Sequence, residues 1–444
     1  MTKLPPGWAE VSLEDIAATS PRSITDGPFG SNLKTEHYTT EGPRVVRLQN
    51  IGDGTFRDDQ SHISDERYLR LRAHDVKPGD VLVAALGEVL PRACVAPPWL
   101  GPAIVKADCF RFRLRDDVNP HFVAAVLNSP QVRSAARSQI AGVGRPRMNL
   151  GKVRKLSIPL PPIAEQDRIV AAIEEHFSHL DAAEVALWSA ERRIRALEKS
   201  IITDASSTLT PPQHWKNATV ADAGTVSLGL QRSPKRHSGP NMRPYLRVAN
   251  VFEDRLDDND VMSMDMTDAE WERYRLRDGD VLLNEGQSPE FLGRPAIYRG
   301  RPPDTAFTNS LIRFRANEDI DPEWALLVFR SHLHNRRFMR ESQITTNIAH
   351  LSAERFKTVE FPIPPLDEQQ ARVADARLRL EGCARLRAEV AAGRRRSAIL
   401  RRSVLAAALS GRLILRDQDQ GAGSRLLDRA ATGSMAKEGT ARAS

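Results

Sequence analysis

Apolar residues recur at every seventh position through a long stretch near the middle of the chain. The first seam position holds Ile173, Leu180, Leu187, Ile194 and Ile201, and the adjoining one holds Ala183, Ala190 and Leu197. This heptad spacing predicts a helix whose apolar seam packs against another helix. We expect the helix to run from about Ile163 to Ile202, and about 40 residues at roughly 1.5 Å each span on the order of 60 Å.

A second helical pattern lies near the end of the chain, from about Leu366 to Ser410. Its apolar positions are Val373, Ala376, Leu380, Cys383 and Val390, and a basic run at 394–396 is followed by Ile399, Leu400, Val404 and Leu405. Each helix could pack on the domain beside it. A seam of this length needs a long partner, however, and we expect that partner to be the other helix.

The segments outside these helices contain short apolar runs, such as Val-Leu-Val at 81–83, which are separated by Gly, Pro, Asn and Asp. The pattern predicts short strands and turns with some helix, for instance from Pro120 to Leu127. The tail from about Asp417 is rich in Gly, Ala, Ser and Arg. That composition predicts disorder.

The chain also repeats itself. Matching blocks occur in the same order in both halves, at an offset of 200 residues between Asp80 and Asp280 and of 203 between Gln166 and Gln369. The paired blocks are 5–8 and 211–215, 46–51 and 246–251, 77–82 and 277–282, 110–113 and 312–315, and 158–166 and 361–369. This order and spacing indicate an internal duplication of a unit that is too long for a solenoid repeat.

Each repeat ends in a Pro-Pro pair that leads into one of the predicted long helices: IPLPPIAEQ at 158–166 and FPIPPLDEQ at 361–369. Proline suits the first helical turn because it lacks the N–H that would have no partner there. The acidic residues that follow are Glu165 and Asp167 in the first repeat and Asp367 and Glu368 in the second. They place negative charge where the helix dipole favours it.

The composition narrows the class of protein. The chain of 444 residues is 41% hydrophobic and 27% charged, which is typical of folded domains, and no apolar run reaches the roughly 18 residues of a membrane span. We expect no secretory signal. Cys94, Cys109 and Cys383 lack the spacing of a zinc site or a disulfide framework, so we expect reduced thiols in a cytoplasmic protein. The net charge of +7 favours a polyanionic partner such as nucleic acid.

Motifs of catalysis are missing from the sequence. It has no GxxxxGK[ST] phosphate loop, no HExxH and no GxSxG, and the Asn/Asp-Pro-Pro-aromatic motif of amino-methyltransferases is absent as well. The Gly-Asp-Val-Leu segments at 79–82 and 279–282 offer two aspartates, but a turn that leads into a strand is the stronger interpretation. We therefore expect no catalytic residue, no metal and no cofactor in this chain.

Several loops carry side chains that suit the grooves of DNA. Arginine can pair bidentately with guanine, and Asn or Gln with adenine, while Lys and Arg also bind phosphates. The candidates in the first repeat are Asn32, Lys34, Arg47, Gln49, Asn50, Arg145, Arg147 and Asn149. Those in the second are Gln231, Arg232, Lys235, Arg236, Arg247, Asn250, Arg336, Arg337, Gln343, Thr346 and Asn347. The alternative is a solvated basic surface without base contacts.

Taken together, these motifs resemble the DNA-specificity subunit of type I restriction-modification systems. The resemblance covers about residues 5 to 415 and rests on the Pro-Pro-x-Trp opening, the Gly-Ser-Asn-Leu-Lys segment at 30–34, the Arg-Leu-Gln-Asn-Ile segment at 47–51, the Gly-Asp-Val-Leu turns and the two Pro-x-Pro-Pro helix starts. The second repeat has no clean counterpart of 30–34, and its Arg-Val-Ala-Asn segment lacks the glutamine. Such differences are expected if the two repeats read different sequences.

The resemblance implies an α+β architecture of two globular α/β target-recognition domains in tandem duplication, separated by two long helices that form an antiparallel coiled coil. The corresponding boundaries are 1–160 for the first recognition domain and 161–206 for the first spacer helix. The second recognition domain would cover 207–363, the second spacer helix 364–415 and a disordered tail 416–444.

The family also implies partners. A specificity subunit recognises a bipartite asymmetric site in double-stranded DNA and positions two modification (methyltransferase) subunits together with restriction subunits, with no role for a membrane. S-adenosylmethionine, ATP and Mg would be bound and used by those partner subunits. On this view Glu165, Gln166, Glu368 and Gln369 are candidates for partner contact. Two alternatives stay open: a non-catalytic coiled-coil scaffold, or a specificity subunit of another DNA-modification defence complex without restriction activity.

Overall fold

The computed structural model describes residues 4–137, 146–345 and 348–414, so the predicted tail lies outside the described residues. The chain divides into two compact units. Unit 1 comprises residues 1–186 and 393–444, and unit 2 comprises residues 187–392. Each unit therefore contains one globular domain of strands and short helices and a segment of each long helix.

The two long helices predicted from the sequence are present. They are α5, Ile163–Ser206, and α11, Leu366–Leu409. The other helices of unit 1 are α1 Asp65–Arg70, α2 Pro120–Leu127, α3 Pro130–Ala136 and α4 Leu150–Arg154. Those of unit 2 are α6 Val220–Ala223, α7 Asp268–Tyr274, α8 Pro322–His334, α9 Arg337–Arg340 and α10 Ala353–Lys357. The helix predicted from Pro120 to Leu127 thus has the expected bounds.

The described residues of the domain in unit 1 form ten short strands. They are β1 Ala9–Ser12, β2 Ile24–Asp26, β3 Tyr38–Val46, β4 His62–Ile63, β5 Asp75–Val76, β6 Val81–Ala84, β7 Arg92–Val95, β8 Ala103–Val105, β9 Cys109–Phe112 and β10 Ser157–Leu160. One antiparallel sheet has the order β2-β9-β6-β7, and a mixed sheet has the order β4-β3-β8-β5 with β3 and β8 parallel. The pair β1-β10 joins the two ends of the domain next to α5.

Unit 2 repeats this plan. Its strands are β11 Lys216–Thr219, β12 Gly224–Leu228, β13 Met242–Leu246, β14 Val251–Phe252, β15 Arg255–Leu256, β16 Met262–Asp265, β17 Val281–Asn284, β18 Gly286–Gln287, β19 Pro295–Ile297, β20 Ala306–Phe307, β21 Leu311–Ala316, β22 Gln343–Thr345, β23 Ile348–His350 and β24 Glu360–Ile363. The sheet β12-β21-β17-β19 corresponds to the first sheet of unit 1, and β16-β13-β20 corresponds to the mixed sheet. Two sheets of the same order support the duplication that the sequence predicts.

The two Gly-Asp segments are turns that start a buried strand, as expected. Gly79 and Gly279 both have φ near +87, a left-handed conformation that glycine adopts at little cost. Asp280 follows and is 1% exposed; its carboxylate accepts a hydrogen bond from the backbone N–H of Arg277 at 2.8 Å and two from Arg315 at 2.7 Å each. These aspartates have a structural role.

The long helices contribute to the core of each unit. In unit 1, Ile169 and Ile173 of α5 and Ala408 of α11 belong to the same buried cluster as the strands and α2. In unit 2, the corresponding cluster includes Ile194 and Ile201 of α5 with Ala376, Cys383 and Val390 of α11. Within each unit the helix segments therefore pack both on the adjacent domain and on each other. The two interpretations of the heptads, packing on a domain and packing on the other helix, both apply.

The heptad prediction is confirmed at one seam position and only in part at the other. Ile173, Ile194 and Ile201 are buried and Leu180 and Leu187 are half-buried. In the adjoining position, Ala190 is half-buried against the core, but Ala183 is exposed and Leu197 is 45% exposed. The globular domain of each unit covers part of each helix, so the buried face does not follow a simple two-helix seam.

Contacts within each unit set the direction in which the helix segments run. In unit 2, Arg387 of α11 pairs with Glu198 of α5, and Arg372 of α11 donates to the carbonyl of Ala205 at 3.2 Å. Residue numbers on α11 fall from 387 to 372 as those of their partners on α5 rise from 198 to 205, so the segments are antiparallel. None of the helices in the described part of the chain is long and apolar enough to cross a membrane.

Candidate nucleic-acid interface

A tight loop follows β3 in unit 1 and carries three of the predicted site residues. Asn50 is 1% exposed. Its carbonyl oxygen accepts the N–H of Arg47 at 2.7 Å, and its amide donates to the carbonyls of Arg57 at 2.9 Å and Asp59 at 2.7 Å. Arg47 also reaches the Asp59 carboxylate at 2.7 Å. Gln49, between them in sequence, is exposed.

The same loop recurs after β13 in unit 2. Asn250 is 2% exposed, accepts the N–H of Arg247 at 3.0 Å, and donates to the carbonyls of Asp257 and Asp260 at 2.9 and 3.0 Å. Arg247 pairs with the Asp260 carboxylate. Asn50 and Asn250 therefore use their amides to close the loop, in place of the base contact predicted for them, because each buried amide is already hydrogen-bonded.

A second basic loop of unit 2 lies around 231–236. Gln231, Arg232 and Lys235 are exposed, and the Arg232 guanidinium lies 5.7 Å from the centre of the Tyr245 ring. Arg236 is different, since it makes a bidentate ion pair with Glu270 at 2.7 and 3.0 Å. The hydrogen bond from Arg236 is the main cause that lowers the pKa of Glu270 to about 2. This arginine is committed to its own domain.

The polar residues predicted in unit 1 are more scattered. Asn32 and Lys34 are exposed at a 3-10 turn, with the Lys34 ammonium 3.7 Å from Glu36. Arg147 is exposed and lies 2.6 Å from the Asp108 carboxylate. Asn149 caps α4, because its side chain accepts the N–H of Lys152 at 2.8 Å. That bond is a structural role for Asn149. Arg145 lies outside the described residues.

The last predicted group of unit 2 follows α8. Arg336 is exposed with φ of 54, whereas Arg337 is held by Glu360 at 2.6 Å and Glu341 at 2.8 Å. Gln343 begins β22, which pairs with β23 and, through it, with β18. Thr346 and Asn347 lie outside the described residues. The cations of these loops thus differ in exposure: Arg236 and Arg337 are partly buried against acids of their own domain, whereas Arg336 remains exposed.

The glutamines of the helix starts were predicted to contact partner proteins, but both are buried. Gln166 accepts the backbone N–H of Asn119 at 2.8 Å and donates to the carbonyl of Pro161 at 2.8 Å. Gln369 accepts the N–H of Asp321 at 2.9 Å and donates to the carbonyls of Pro364 and Asp319 at 2.9 and 3.0 Å. They fasten each long helix to the residue that caps α2 or α8.

The acidic neighbours of these glutamines are more accessible. Glu165 and Glu368 are both half-buried. Burial would raise the pKa of Glu368, but hydrogen bonds from His214, Arg372 and Trp215 outweigh that effect and lower it. The Trp215 indole N–H donates to the Glu368 carboxylate at 3.2 Å. The tryptophan of the second Pro-Pro opening is thus joined to the start of α11.

The chain is similar in sequence to known proteins. Residues 270–375 match the family model described as the type I restriction modification DNA specificity domain. Over 390 residues, 83% of this chain and 81% of the relative, the chain is 21% identical to the type I restriction enzyme EcoKI specificity subunit of Escherichia coli K12. The StySPI specificity subunit of Salmonella potsdam is 20% identical with the same coverage. The chain is thus similar over most of its length to type I specificity subunits, and residues 270–375 match their DNA specificity domain.

Solved structures agree with this specificity-subunit fold. A chain from a study of complex assembly and conformational transition of the type I R-M system covers 93% of this chain and 100% of its own length, with a TM-score of 0.69 and 18% identity. The HsdS subunit from Thermoanaerobacter tengcongensis covers 92% of this chain with a TM-score of 0.52 and 18% identity. At these identities the likeness establishes the fold.

The sequence pattern did not reveal the acids that hold the loops after β3 and β13. Asp53 and Glu253 each follow the buried asparagine by three residues, and each is bound by an arginine from a helix of its own domain. A comparison of the repeats could have found the recurring acid. It could not have found the arginines, because they come from non-matching positions.

Proposed function

We propose that each unit of this specificity subunit reads one half of a bipartite, asymmetric DNA site. The observation that carries the proposal is the recurrence of one loop, closed by Asn50 or Asn250 with the same set of bonds, in two domains whose exposed side chains differ. Gln49 in unit 1 corresponds to Ala249 in unit 2. A shared scaffold with different exposed groups is what two readers of different sequences require.

The exposed residues are the best candidates for DNA contact on this proposal. They are Asn32, Lys34, Gln49 and Arg147 in unit 1, and Gln231, Arg232, Lys235 and Arg336 in unit 2. Arg47 and Arg247 are half-buried, and their acidic partners Asp59 and Asp260 are largely exposed. A phosphate or a guanine could replace such a carboxylate with little loss, because exposed ion pairs are weak.

The long helices act as the spacer in this proposal. The segments in both units belong to the same two continuous helices, and the antiparallel contacts within unit 2 support an antiparallel coiled coil. A rigid spacer fixes the distance between two half-sites, which is expected to be about 34 Å, one turn of DNA, or a multiple of it.

The same helices would bind the modification subunits. Leu378 and Leu386 of α11 are 64% and 52% exposed within unit 2, and exposed apolar side chains on a helix suit a protein partner. We propose this surface, together with Glu165 and Glu368 at the helix starts, for partner contact. The methyl-transfer and ATP-dependent chemistry, with S-adenosylmethionine, ATP and Mg, would belong to modification and restriction subunits.

A competition experiment tests this function. The chain is assembled with its modification subunit, and a labelled target duplex is displaced by unlabelled target or by random DNA of equal length. Because each well-placed base contact gives about 1–3 kcal/mol of discrimination, the target should compete at least a hundredfold better. Equal competition by both duplexes would reject sequence recognition and would favour a scaffold.

A further inference from the structure

Both reading loops carry an acid at the same place. Asp53 follows Asn50 by three residues, and Glu253 follows Asn250 by three. In each unit an arginine on a helix of the same domain forms an ion pair with this acid. The side of the loop away from the asparagine is therefore anchored as well.

In unit 1 the anchor is Arg133 of α3. Its guanidinium donates to both oxygens of Asp53, at 2.5 and 3.2 Å, and also to the carbonyl of Pro91 and the side chain of Asn128, each at 3.0 Å. The Arg133 side chain is 19% exposed. It spans the gap between the loop and the body of the domain.

In unit 2 the anchor is Arg330 of α8. Its Nε donates to Glu253 at 2.9 Å, and its terminal nitrogen donates to Asp254 at 3.2 Å. His334, one turn further along α8, reaches the same Glu253 oxygen at 2.7 Å. Burial would raise the pKa of Glu253, but His334 and Arg330 outweigh it and lower the pKa to about 2. The carboxylate is ionised and depends on its partners.

The two arginines do not occupy equivalent positions. Asn119 and Asp321 cap matching helices, and counting from these caps places Arg330 opposite Asn128, with Arg133 five residues further along. Asn128 instead bonds to the backbone of Ala93. Different helical positions thus supply the same contact to the same loop position, although the surrounding residues have diverged.

We propose that Arg133 and Arg330 are positioning residues, each of which sets the loop that reads one half-site. This proposal rests on the proposed function. Removing Arg330 leaves the partly buried Glu253 carboxylate without its main cation, which is costly. Asp53 is 58% exposed, so removing Arg133 acts mainly through the loss of a link that also includes Pro91 and Asn128. The exposed link from Asp254 to Arg299, a side chain that is 49% exposed, is expected to add little.

Arginine-to-glutamine variants of the full chain, assembled with the modification subunit, test the proposal. The probe is the mapped target duplex, altered in one half-site at a time. Arg330→Gln should reduce discrimination at the half-site read by unit 2 about tenfold, equivalent to one good contact, and change the other less than about twofold. Arg133→Gln should reduce discrimination at the half-site read by unit 1, by less than Arg330→Gln does at the other, because Asp53 is 58% exposed. Arg275→Gln and Arg70→Gln, in exposed ion pairs with Glu272 and Glu66, are controls expected to resemble the wild type.

A double-mutant cycle separates positioning from general damage. The loss in the double variant Arg330→Gln/Glu253→Gln should be smaller than the sum of the losses in the two single variants, because Arg330 and Glu253 share one contact. Melting temperatures of all variants identify any that fail to fold. Equal losses at both half-sites, or no loss in a folded Arg330→Gln protein, would overturn the inference. Wild-type protein without any discrimination would instead refute the proposed function itself.

Discussion

Raising the salt concentration from 50 to 200 mM is expected to weaken DNA binding by the assembled complex roughly a thousandfold. The reason is counterion release, since about six phosphate contacts give that dependence. The exposed cations of the candidate interface are proposed to supply most of these contacts; they are Lys34, Arg147, Arg232, Lys235 and Arg336. Fluorescence anisotropy with a labelled duplex measures the dissociation constant across the salt series.

Removing one exposed positive charge tests which residues cause the salt dependence. Replacing Lys235 with glutamine should lower the slope of log affinity against log salt by about 0.9, because one phosphate is then no longer neutralised. The control is Arg236→Gln, because Arg236 is already paired with Glu270, and we expect a smaller change of slope. A slope near zero in the wild type would mean that the basic charge is incidental and that binding does not involve the DNA backbone.

Asp280→Ala is expected to lower the free energy of unfolding of unit 2 by about 3 kcal/mol, which is typical of breaking a buried ion pair. The change removes two hydrogen bonds to Arg315 and the bond that closes the turn at Arg277. It also removes the acid that opposes the effect of burial on Arg313, whose pKa burial lowers to about 10.

Thermal and denaturant unfolding measure this loss. The matched control is Asp278→Ala, two residues earlier in the same turn and exposed, which should change stability by less than about 0.5 kcal/mol. Asp80→Ala tests the equivalent turn of unit 1, where Asp80 is held by Arg113 at 2.8 and 2.9 Å. Equal stability of the Asp280 and Asp278 variants would show that the aspartate has no structural role.

The duplication and the long helices could be predicted because they depend on local pattern. Heptads and Pro-Pro helix starts specify α5 and α11 to within a few residues, and matched blocks reveal two related domains. The second seam position could not be predicted, as Leu197 shows, because tertiary packing decides which helix face is buried.

The candidate site was harder to predict than the fold. Asn50 and Asn250 have the chemistry of adenine readers, yet the backbone carbonyls of their own loops use their amides. Gln166 and Gln369 have the appearance of surface contacts but fasten helices to caps nearly fifty residues away in sequence. The sequence alone does not show whether a polar side chain hydrogen-bonds within its own domain or is free to bind DNA or protein. Its partner in the chain comes near only when the domain folds.

The central claim is that two divergent domains read two separate blocks of DNA. Its most direct test is to express the chain with its modification subunit and to map methylated positions across a genome by sequencing. The account predicts one motif of two short specific blocks separated by a non-specific gap of constant length. A single continuous motif, or methylation without sequence preference, would contradict it.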